Sequence, residues 1–459
     1  MRTLYSAFIK NVIYPLYQIY SGHNYLKQYE ELKRTQWLSK DEIIGLQWSK
    51  LKQLLEHTYN NVPYYKRVFD CLFLHPNNIN SESDFRKLPL LDKETITNNL
   101  NDFIASNFHK KDLIKDSTGG STGVNLQFYY DYKNVEQRRA VELRSNSWAG
   151  LDIGDKYTKL WGSHFDIQFG KKLRGKMSDL LFRQLFLSSY NLSDDAMREY
   201  ATKILHYKPK CIVGYSSSLY IFAKFLHENK IDGIKPKSII SSAEVLHDYQ
   251  RELIESVFGC KVFDRYGCRE FSTIAQECER HTGLHINLEH VFVEILDEKK
   301  NPCDPGEKGE IVITDLDNYA FPFIRYRIGD MGAFSPKKCP CGRGLPLLEN
   351  IDGRVWDVII GINGNRIIGS FWLIKDIKGI EQFQILQEEF GKITVKLIIN
   401  NSFTENEKKK LLNRIFERCG KNMKVDILLM DNIPVSTSGK HKFIISKVSP
   451  FCKAIEREK

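Results

Sequence analysis

The stretch "KCIVGYSSSLYIFAKFLHENK" (210–230) decides the architecture, because an apolar run, "KCIVGY", hands over through serines to a stretch with helical patterning. The same handover recurs. Apolar runs "KSIISSAE" (237–244) and "CKVFDRYG" (260–267) alternate with helical stretches, and a helical opening that includes "WSKLKQLLEHTYNNVPYY" (48–65) precedes them. That alternation predicts an α/β protein with parallel-type sheets, whose ligands bind in the loops after the strands. Around 309–328 the texture changes to "GEIVITDLDNYAFPFIRYR", strand-like and turn-rich, which predicts an antiparallel or barrel-like subdomain. Past "GRVWDVI" a compact segment follows: strand "KITVKLII", helix "ENEKKKLLNRIFERCG" with Leu411, Leu412, Ile415, Phe416 and Cys419 on one face, and strand "KVDILL". The expected boundary lies at Arg354, giving a large N-terminal domain over 1–353 and a small, mobile C-terminal α/β domain over 354–459. No internal repeat or low-complexity tract is visible.

With 459 residues, 42% of them hydrophobic, the chain is long enough for more than one core, and disorder is not its default. A net charge of +10 suits an anionic ligand or an anionic surface. There is no dense basic block and no recognisable nucleic-acid module, so nucleic acid is not an expected partner. The ten cysteines are scattered and no cleavable signal is evident, which points to reduced thiols and the cytoplasm. The opening "MRTLYSAFIKNVIYPLYQIYSG" has no acidic residue and places Leu4, Phe8, Val12, Ile13, Leu16 and Ile19 at roughly helical spacing. Arg2, Lys10 and Pro15 interrupt it too much for a spanning helix. Two readings stand: a helix packed on its own domain, and peripheral contact of residues 1–20 with the inner face of a membrane.

"DSTGGSTG" (116–123) sits between strand-like "DLIKDS" and alternating "VNLQFYY", at the expected tip of a hairpin. Such a loop exposes backbone N–H groups and hydroxyls, which is what a phosphate needs. It is not a Walker loop, since Gly123 is followed by Val124 and Asn125 rather than Lys and Ser/Thr. Taken alone, the loop reads equally as a tight turn.

Its companions decide between these. "SSAE" (241–244), "DRYGCRE" (264–270), "FIRYRIGD" (323–330), "IDGRVWD" (351–357) and "IPVSTSGKHK" (433–442) follow in order. Together with the loop they resemble the motifs of the adenylate-forming ligase superfamily, acyl-CoA synthetases and adenylation domains. "LLEHTYNNVPYY", "YGCRE", "GLHIN" and "CPCGRGLPLL" are similar to the phenylacetate–CoA ligase-like branch, including its capsular polysaccharide biosynthesis type.

The resemblance implies attack of a carboxylate on the α-phosphorus of ATP, giving an acyl-adenylate and pyrophosphate. It assigns the phosphate nest to Ser117, Thr118, Gly119, Gly120, Ser121, Thr122 and Gly123. Adenine falls to Tyr266 and Gly267 with Ser242, Ala243 and Glu244, and the ribose to Asp330. Glu270 is implied as the Mg²⁺-associated carboxylate and Arg354 as the boundary arginine near ribose and phosphate. Lys440 is implied as the mobile-domain lysine that meets the carboxylate and the α-phosphate. Tyr215, Ser216 and Ser217, in "GYSSSLYIF", are the expected wall of the acid pocket, which suits a polar acid as well as phenylacetate. The acceptor is coenzyme A or an amine. The family usually carries aspartate or lysine two residues after the boundary arginine, where this chain has Trp356. That departure touches the second half-reaction and supports a competing reading, a non-catalytic nucleotide- or partner-binding member.

"ECERHTGLH" (277–285) and "KCPCGRG" (338–344) offer Cys278, His285, Cys339 and Cys341 as a structural zinc set, with His281 as the alternative imidazole. Spacing alone leaves metal and unligated cysteines evenly balanced. Relatives in the branch tip the expectation to zinc, stapling two loops rather than taking part in the reaction.

Overall fold

The computed structural model describes residues 7–22, 24–118, 126–161, 183–189, 192–354, 358–362, 366–368, 373, 377–433 and 443–448. The chain divides into two compact units, Met1–Ile328 with Gly332–Ile351, and Gly329–Met331 with Asp352–Lys459.

In the first unit, β1 (Ile114–Ser117) and β2 (Gln127–Tyr130) form an antiparallel hairpin with Ser117 opposite Gln127. The strands that follow are β3 (Tyr157–Trp161), β4 (Gln184–Ser188), β5 (Cys211–Tyr215), β6 (Ser238–Ser242), β7 (Val262–Cys268), β8 (Ser272–Glu277) and β9 (Leu284–Ile286). After them come β10 (Val291–Leu296), β11 (Gly309–Asp315), β12 (Tyr326–Phe334) and β13 (Leu347–Arg354). Among the described residues, eleven of these join one sheet in the order β10-β11-β12-β13-β9-β8-β7-β6-β5-β3-β4. From β4 to β7 the pairings are parallel, and from β7 to β8 and β9 they are antiparallel. The parallel half is as the alternating strand and helix patterns predict. The segment expected to be an antiparallel or barrel-like subdomain does pair antiparallel, β10 with β11, but it forms no barrel or sheet of its own: β11 and β12 continue the large sheet.

Each half has its own core. In the parallel half, helices Ser216–Glu228 and Asp248–Phe258 lay Phe222, Leu226, Ile254 and Phe258 on Leu160, Ile212 and Ile239. Helix Lys40–Asn61 covers the antiparallel half with Leu51, Leu54 and Leu55, in one cluster with Phe103, Phe321 and Phe323. It begins at a capping box, in which Ser39 accepts from the Glu42 N–H and the Glu42 carboxylate accepts from the Ser39 N–H at 2.8 Å. It ends at Val62, where Pro63 cannot continue the hydrogen-bond ladder.

Charged groups and their polar partners are buried against the sheet too, on helices Tyr25–Thr35 and Tyr132–Trp148 and in the loop before β10. Arg144, fully buried, grips Glu289 with both terminal nitrogens at 2.7 and 2.9 Å, and Thr35 donates to the same carboxylate at 2.7 Å. His290 faces acceptors on both ring nitrogens, the Phe271 carbonyl at 2.9 Å and Asp317 at 2.8 Å. A neutral imidazole donates only once, so this geometry calls for the imidazolium. Burial works against that charge, but Asp317 and Asp315 outweigh it and the net shift is upward. Lys50 completes the set on Asp317 at 2.5 Å.

In the second unit, β16 (Ile380–Glu389) and β17 (Lys392–Ile399) pair antiparallel, with β18 (Lys424–Leu429) and β19 (Ile444–Ser446) parallel at the two edges. A two-stranded ribbon precedes them, β14 (Val358–Ile360) with β15 (Arg366–Ile368). Helix Glu405–Cys419 buries Leu411, Ile415 and Cys419 in one cluster with Phe383, Ile385, Val395 and Leu397, while Leu412 and Phe416 are half-buried beside them.

Because the His290 pKa is raised on folding, its contribution is complete below about pH 6.5 and is lost as pH rises through the folded value. His290→Gln is expected to cost about 3 kcal/mol at pH 6, as breaking a buried ion pair does. The gap to wild type, read from thermal unfolding midpoints, narrows above pH 7. A gap that stays constant with pH contradicts a charged His290.

Candidate active site

The elements expected to hold a nucleotide meet at the carboxyl ends of the parallel strands. β5 ends at Tyr215, whose ring packs against Trp161 at the end of neighbouring β3, with centroids 4.3 Å apart. Ser216, which opens the next helix, is committed internally: its hydroxyl meets Ser241 Oγ at 2.6 Å and the Glu244 carbonyl at 3.1 Å. β6 ends at Ser242, and Ala243 follows with φ +69, a left-handed conformation that costs a non-glycine residue about 1 kcal/mol or more. That turn swings Glu244 back so that its carboxylate accepts from the Ser217 N–H at 2.9 Å, at the positive end of helix Ser216–Glu228. The Glu244 side chain therefore caps this helix through one carboxylate oxygen, while the other, Oε1, is buried with no hydrogen-bond partner among the described residues. The expected pocket wall and the expected purine loop are thus bonded to each other.

β7 carries Tyr266 and Gly267. A side chain on Gly267 has no room, since a Cβ there would lie 2.1 Å from the Ser272 carbonyl oxygen. The chain leaves β7 through Arg269 and Glu270. Arg269 reaches the phosphate-loop hairpin: its guanidinium is 2.8 Å from Asp116 Oδ1 and 3.3 Å from the Ser117 carbonyl. Tyr130 on the opposite strand donates to the other Asp116 oxygen at 3.3 Å, and Arg138 donates to the Arg269 carbonyl. The hairpin base is clasped as well, with Thr118 N–H to the Leu126 carbonyl at 2.9 Å and Leu126 N–H to the Thr118 hydroxyl at 3.1 Å. So the turn bearing Glu270 and the foot of the glycine-rich loop are fastened together. Asp116 carries no recognisable motif of its own, and only the strand pairing reveals its part.

Arg269 spends its charge on Asp116 rather than on its neighbour. Glu270 is 6% exposed and has no ion-pair partner among the described residues. A buried carboxylate in that condition wants a cation, and an oxygen ligand of this kind fits Mg²⁺.

Asp330 lies half-buried on β12, in the Gly329–Met331 stretch that belongs with the second unit, and Arg354 is the last residue of β13. Gly119, Gly120, Ser121, Thr122, Gly123, Trp356 and Lys440 lie outside the described residues, as does the Arg354 side chain.

Cys278, His285, Cys339 and Cys341 come together, with their ligand atoms all within 4.8 Å of one another. Cys278 and Cys339 sulfurs are 3.6 Å apart, and Cys341 Sγ is 3.3 Å from His285 Nε2. His285 Nδ1 donates to the Leu345 carbonyl at 3.0 Å, which leaves the Nε2 lone pair facing the sulfurs, and burial pushes its pKa down to about 4. Backbone N–H groups of Arg280 and Arg343 each point at the sulfur two residues earlier, at 3.4 Å. Burial pushes the Cys278 thiol up. At Cys339 burial is outweighed by hydrogen bonds from Thr282, at 3.1 Å, and from Cys341, and the net shift is downward. Three sulfurs, one neutral imidazole and N–H donors aimed at sulfur suit a closed tetrahedral zinc. His281 is directed elsewhere, onto Glu277 at 3.1 Å and the Phe263 ring. His290, Asp315 and Asp317 also cluster, but with the Phe271 carbonyl and Asp317 facing its two nitrogens the His290 ring is placed as an ion-paired imidazolium rather than as a metal ligand.

Comparison with known proteins follows the motifs. Residues 360–447 match the CapK C-terminal domain model. Over 453 residues the chain is 25% identical to Protein CapK of Staphylococcus aureus, covering 94% of this chain and 95% of that one. It is 27% identical over 439 residues to the phenylacetate-coenzyme A ligase of Aromatoleum evansii, covering 91% and 97%. Its fold is that of 2-hydroxyisobutyryl-CoA ligase in the postadenylation state with 2-HIB-AMP, at TM-score 0.72 and 18% identity over 87% of this chain and 88% of the other. The resemblance read from the motifs is borne out.

Gly267→Ala is expected to destabilise the large unit by about 3 kcal/mol or more, because the obstructing atom is backbone and cannot step aside. Thermal unfolding with unchanged midpoint contradicts the close approach between β7 and β8.

Proposed function

We propose that this chain, an enzyme of the adenylate-forming ligase superfamily in its phenylacetate–CoA ligase-like branch, activates a carboxylic acid as its acyl-adenylate. The acyl group is then passed to a thiol or amine. The observation that carries this reading is the Arg269–Asp116 clasp, which holds the foot of the glycine-rich hairpin against the turn bearing Glu270. A phosphate nest and a cation-seeking carboxylate joined in this way suit a nucleotide triphosphate better than a plain turn does.

In the reaction, a carboxylate oxygen bonds to the α-phosphorus while the bond from that phosphorus to the bridging oxygen breaks, and pyrophosphate leaves. Two anions must be held together, so donors set in place beforehand do most of the work. Ser117 to Gly123 receive the β- and γ-phosphates, Tyr266 and the backbone of 242–244 border adenine, and Asp330 accepts from the ribose hydroxyls. Glu270 would hold Mg²⁺, which when bound neutralises phosphate charge. Lys440 brings a cation to the carboxylate and α-phosphate, and Arg354 supports it from the boundary near residue 354. Tyr215, beside Trp161, gives the acid an aromatic wall, while Ser217 adds a hydroxyl. Cys278, His285, Cys339 and Cys341 would hold a structural zinc that fastens the 278–285 and 339–341 loops.

The match of 360–447 to a CapK C-terminal domain favours a surface-polysaccharide setting over aromatic-acid metabolism. A cytoplasmic setting suits ATP as co-substrate and the free thiols of the described cysteines.

Pyrophosphate release from ATP–Mg²⁺ across aryl, fatty, amino and uronic acids is expected with one acid class, and Lys440→Ala lowers it by about 100-fold or more. Silence across the panel contradicts the proposal. Metal analysis of protein purified without chelator is expected to give one zinc per chain, lost in Cys339→Ser together with several degrees of thermal stability. Less than stoichiometric zinc in the wild type overturns the metal assignment.

A further inference from the structure

The first helical segment has two apolar faces. It runs through one π-type turn, Ile9–Ile13, into helix Tyr14–Ser21, with Pro15 in the first turn, where no N–H is missed. Its inner face seats Ile9 and Tyr14, with Ile13 beside them, on Tyr25, Tyr29 and Leu32 and on Ala140, Val141 and Leu143 of helix Tyr132–Trp148. A helix seated this way on a soluble domain normally turns a polar face outward. This one presents Phe8, Val12, Leu16, Ile19 and Tyr20, with Ile19 80% and Tyr20 91% exposed. The spacing of the first four, four, four and three residues, draws one stripe along the helix, and no charged side chain belongs to it.

Its surroundings bear on what covers it. The first 29 residues carry Arg2, Lys10 and Lys27 and no acidic residue, in a chain of net charge +10. A second copy docked on this stripe would bring like charges together. An anionic bilayer surface offers the opposite charge and a non-polar boundary layer, and it accepts aromatic side chains at that boundary. Among the described residues no helix is long and apolar enough to cross a membrane, so the geometry is that of a segment lying on the surface. We infer that the Phe8–Tyr20 face seats the protein on an anionic phospholipid bilayer, with the apolar stripe entering the headgroup boundary and the net positive charge of the chain drawing it to the lipid phosphates. Lys10 is committed to Asp152 at 3.3 Å, which keeps its charge off the stripe and leaves the stripe apolar.

The test is co-sedimentation of the full chain with vesicles of phosphatidylcholine alone and with a third phosphatidylglycerol, alongside sedimentation velocity without lipid. Wild type is expected to pellet with the anionic vesicles, more weakly as salt rises, and Leu16→Glu/Ile19→Glu to bind at least tenfold more weakly. Tyr20→Glu, at the most exposed position, serves as the milder second variant. Equal thermal midpoints for all three proteins show that the helix remains seated on its own domain. Binding by wild type to neither vesicle, undiminished binding by both variants, or a wild-type dimer that the double variant converts to monomer would each overturn the inference.

Discussion

Between Gly267 and the Ser272 carbonyl there is no room for a methyl group, and much of the large unit depends on that closeness. β7 is the strand at which the sheet changes from parallel to antiparallel pairing, and its register with β8 shifts between Tyr266 and Gly267. A parallel strand needs a crossover helix to reach its neighbour, whereas an antiparallel one needs only a tight turn. Here the turn is "REF" (269–271), so Arg269 and Glu270 emerge at the same end of the sheet as the loops after β5 and β6. The close approach thus delivers the Arg269 guanidinium to Asp116 and leaves the Glu270 carboxylate buried without a countercharge among the described residues.

Around that junction the unit is fastened by charges taken out of water. Arg144 with Glu289 ties helix Tyr132–Trp148 to the loop before β10, and Lys50 of helix Lys40–Asn61 closes on Asp317, which His290 of that loop also meets. Arg325, held at φ +51, grips Glu294 on β10 with two bonds of 3.0 Å while donating to the Leu88 carbonyl. Such pairs add little net stability over apolar packing, but each is costly to break singly, so they fix one arrangement against its competitors. The cysteine cluster has the same character. Arg343, next to it, forks onto Glu279 at 3.0 and 3.1 Å and reaches Gln36 at 3.1 Å, and Gly344 passes so close to Leu38 that no side chain fits. A metal there would complete a brace that hydrogen bonds already outline.

What was legible in the sequence follows from how local each signal is. The strand-to-helix handovers after Tyr215 and Ser242, the hairpin around the glycine-rich loop and the helix Glu405–Cys419 are written in consecutive residues, and they form. The Cys278, His285, Cys339 and Cys341 set was legible through the resemblance to the branch, since spacing alone left metal and unligated cysteines evenly balanced, and the fold does bring the four together. Position in the sheet was not: β11 and β12 read as a separate antiparallel or barrel-like subdomain because turn-rich texture says nothing about which edge a strand joins. Asp116, Arg144 and His290 were invisible because a single charged residue looks like solvated surface until the fold buries it. Glu244 sat in a purine motif, yet a left-handed turn at Ala243 aimed its carboxylate at a helix end.

The central claim is that the carboxylate attacks the α-phosphorus of ATP. Its most direct test is acid-dependent exchange of labelled pyrophosphate into ATP without any acceptor, with the nucleotide product identified once acceptor is added. Exchange that requires the acid, and AMP as the product, is what the clasped hairpin and the Glu270 turn predict. ADP and inorganic phosphate, with no exchange, would contradict it.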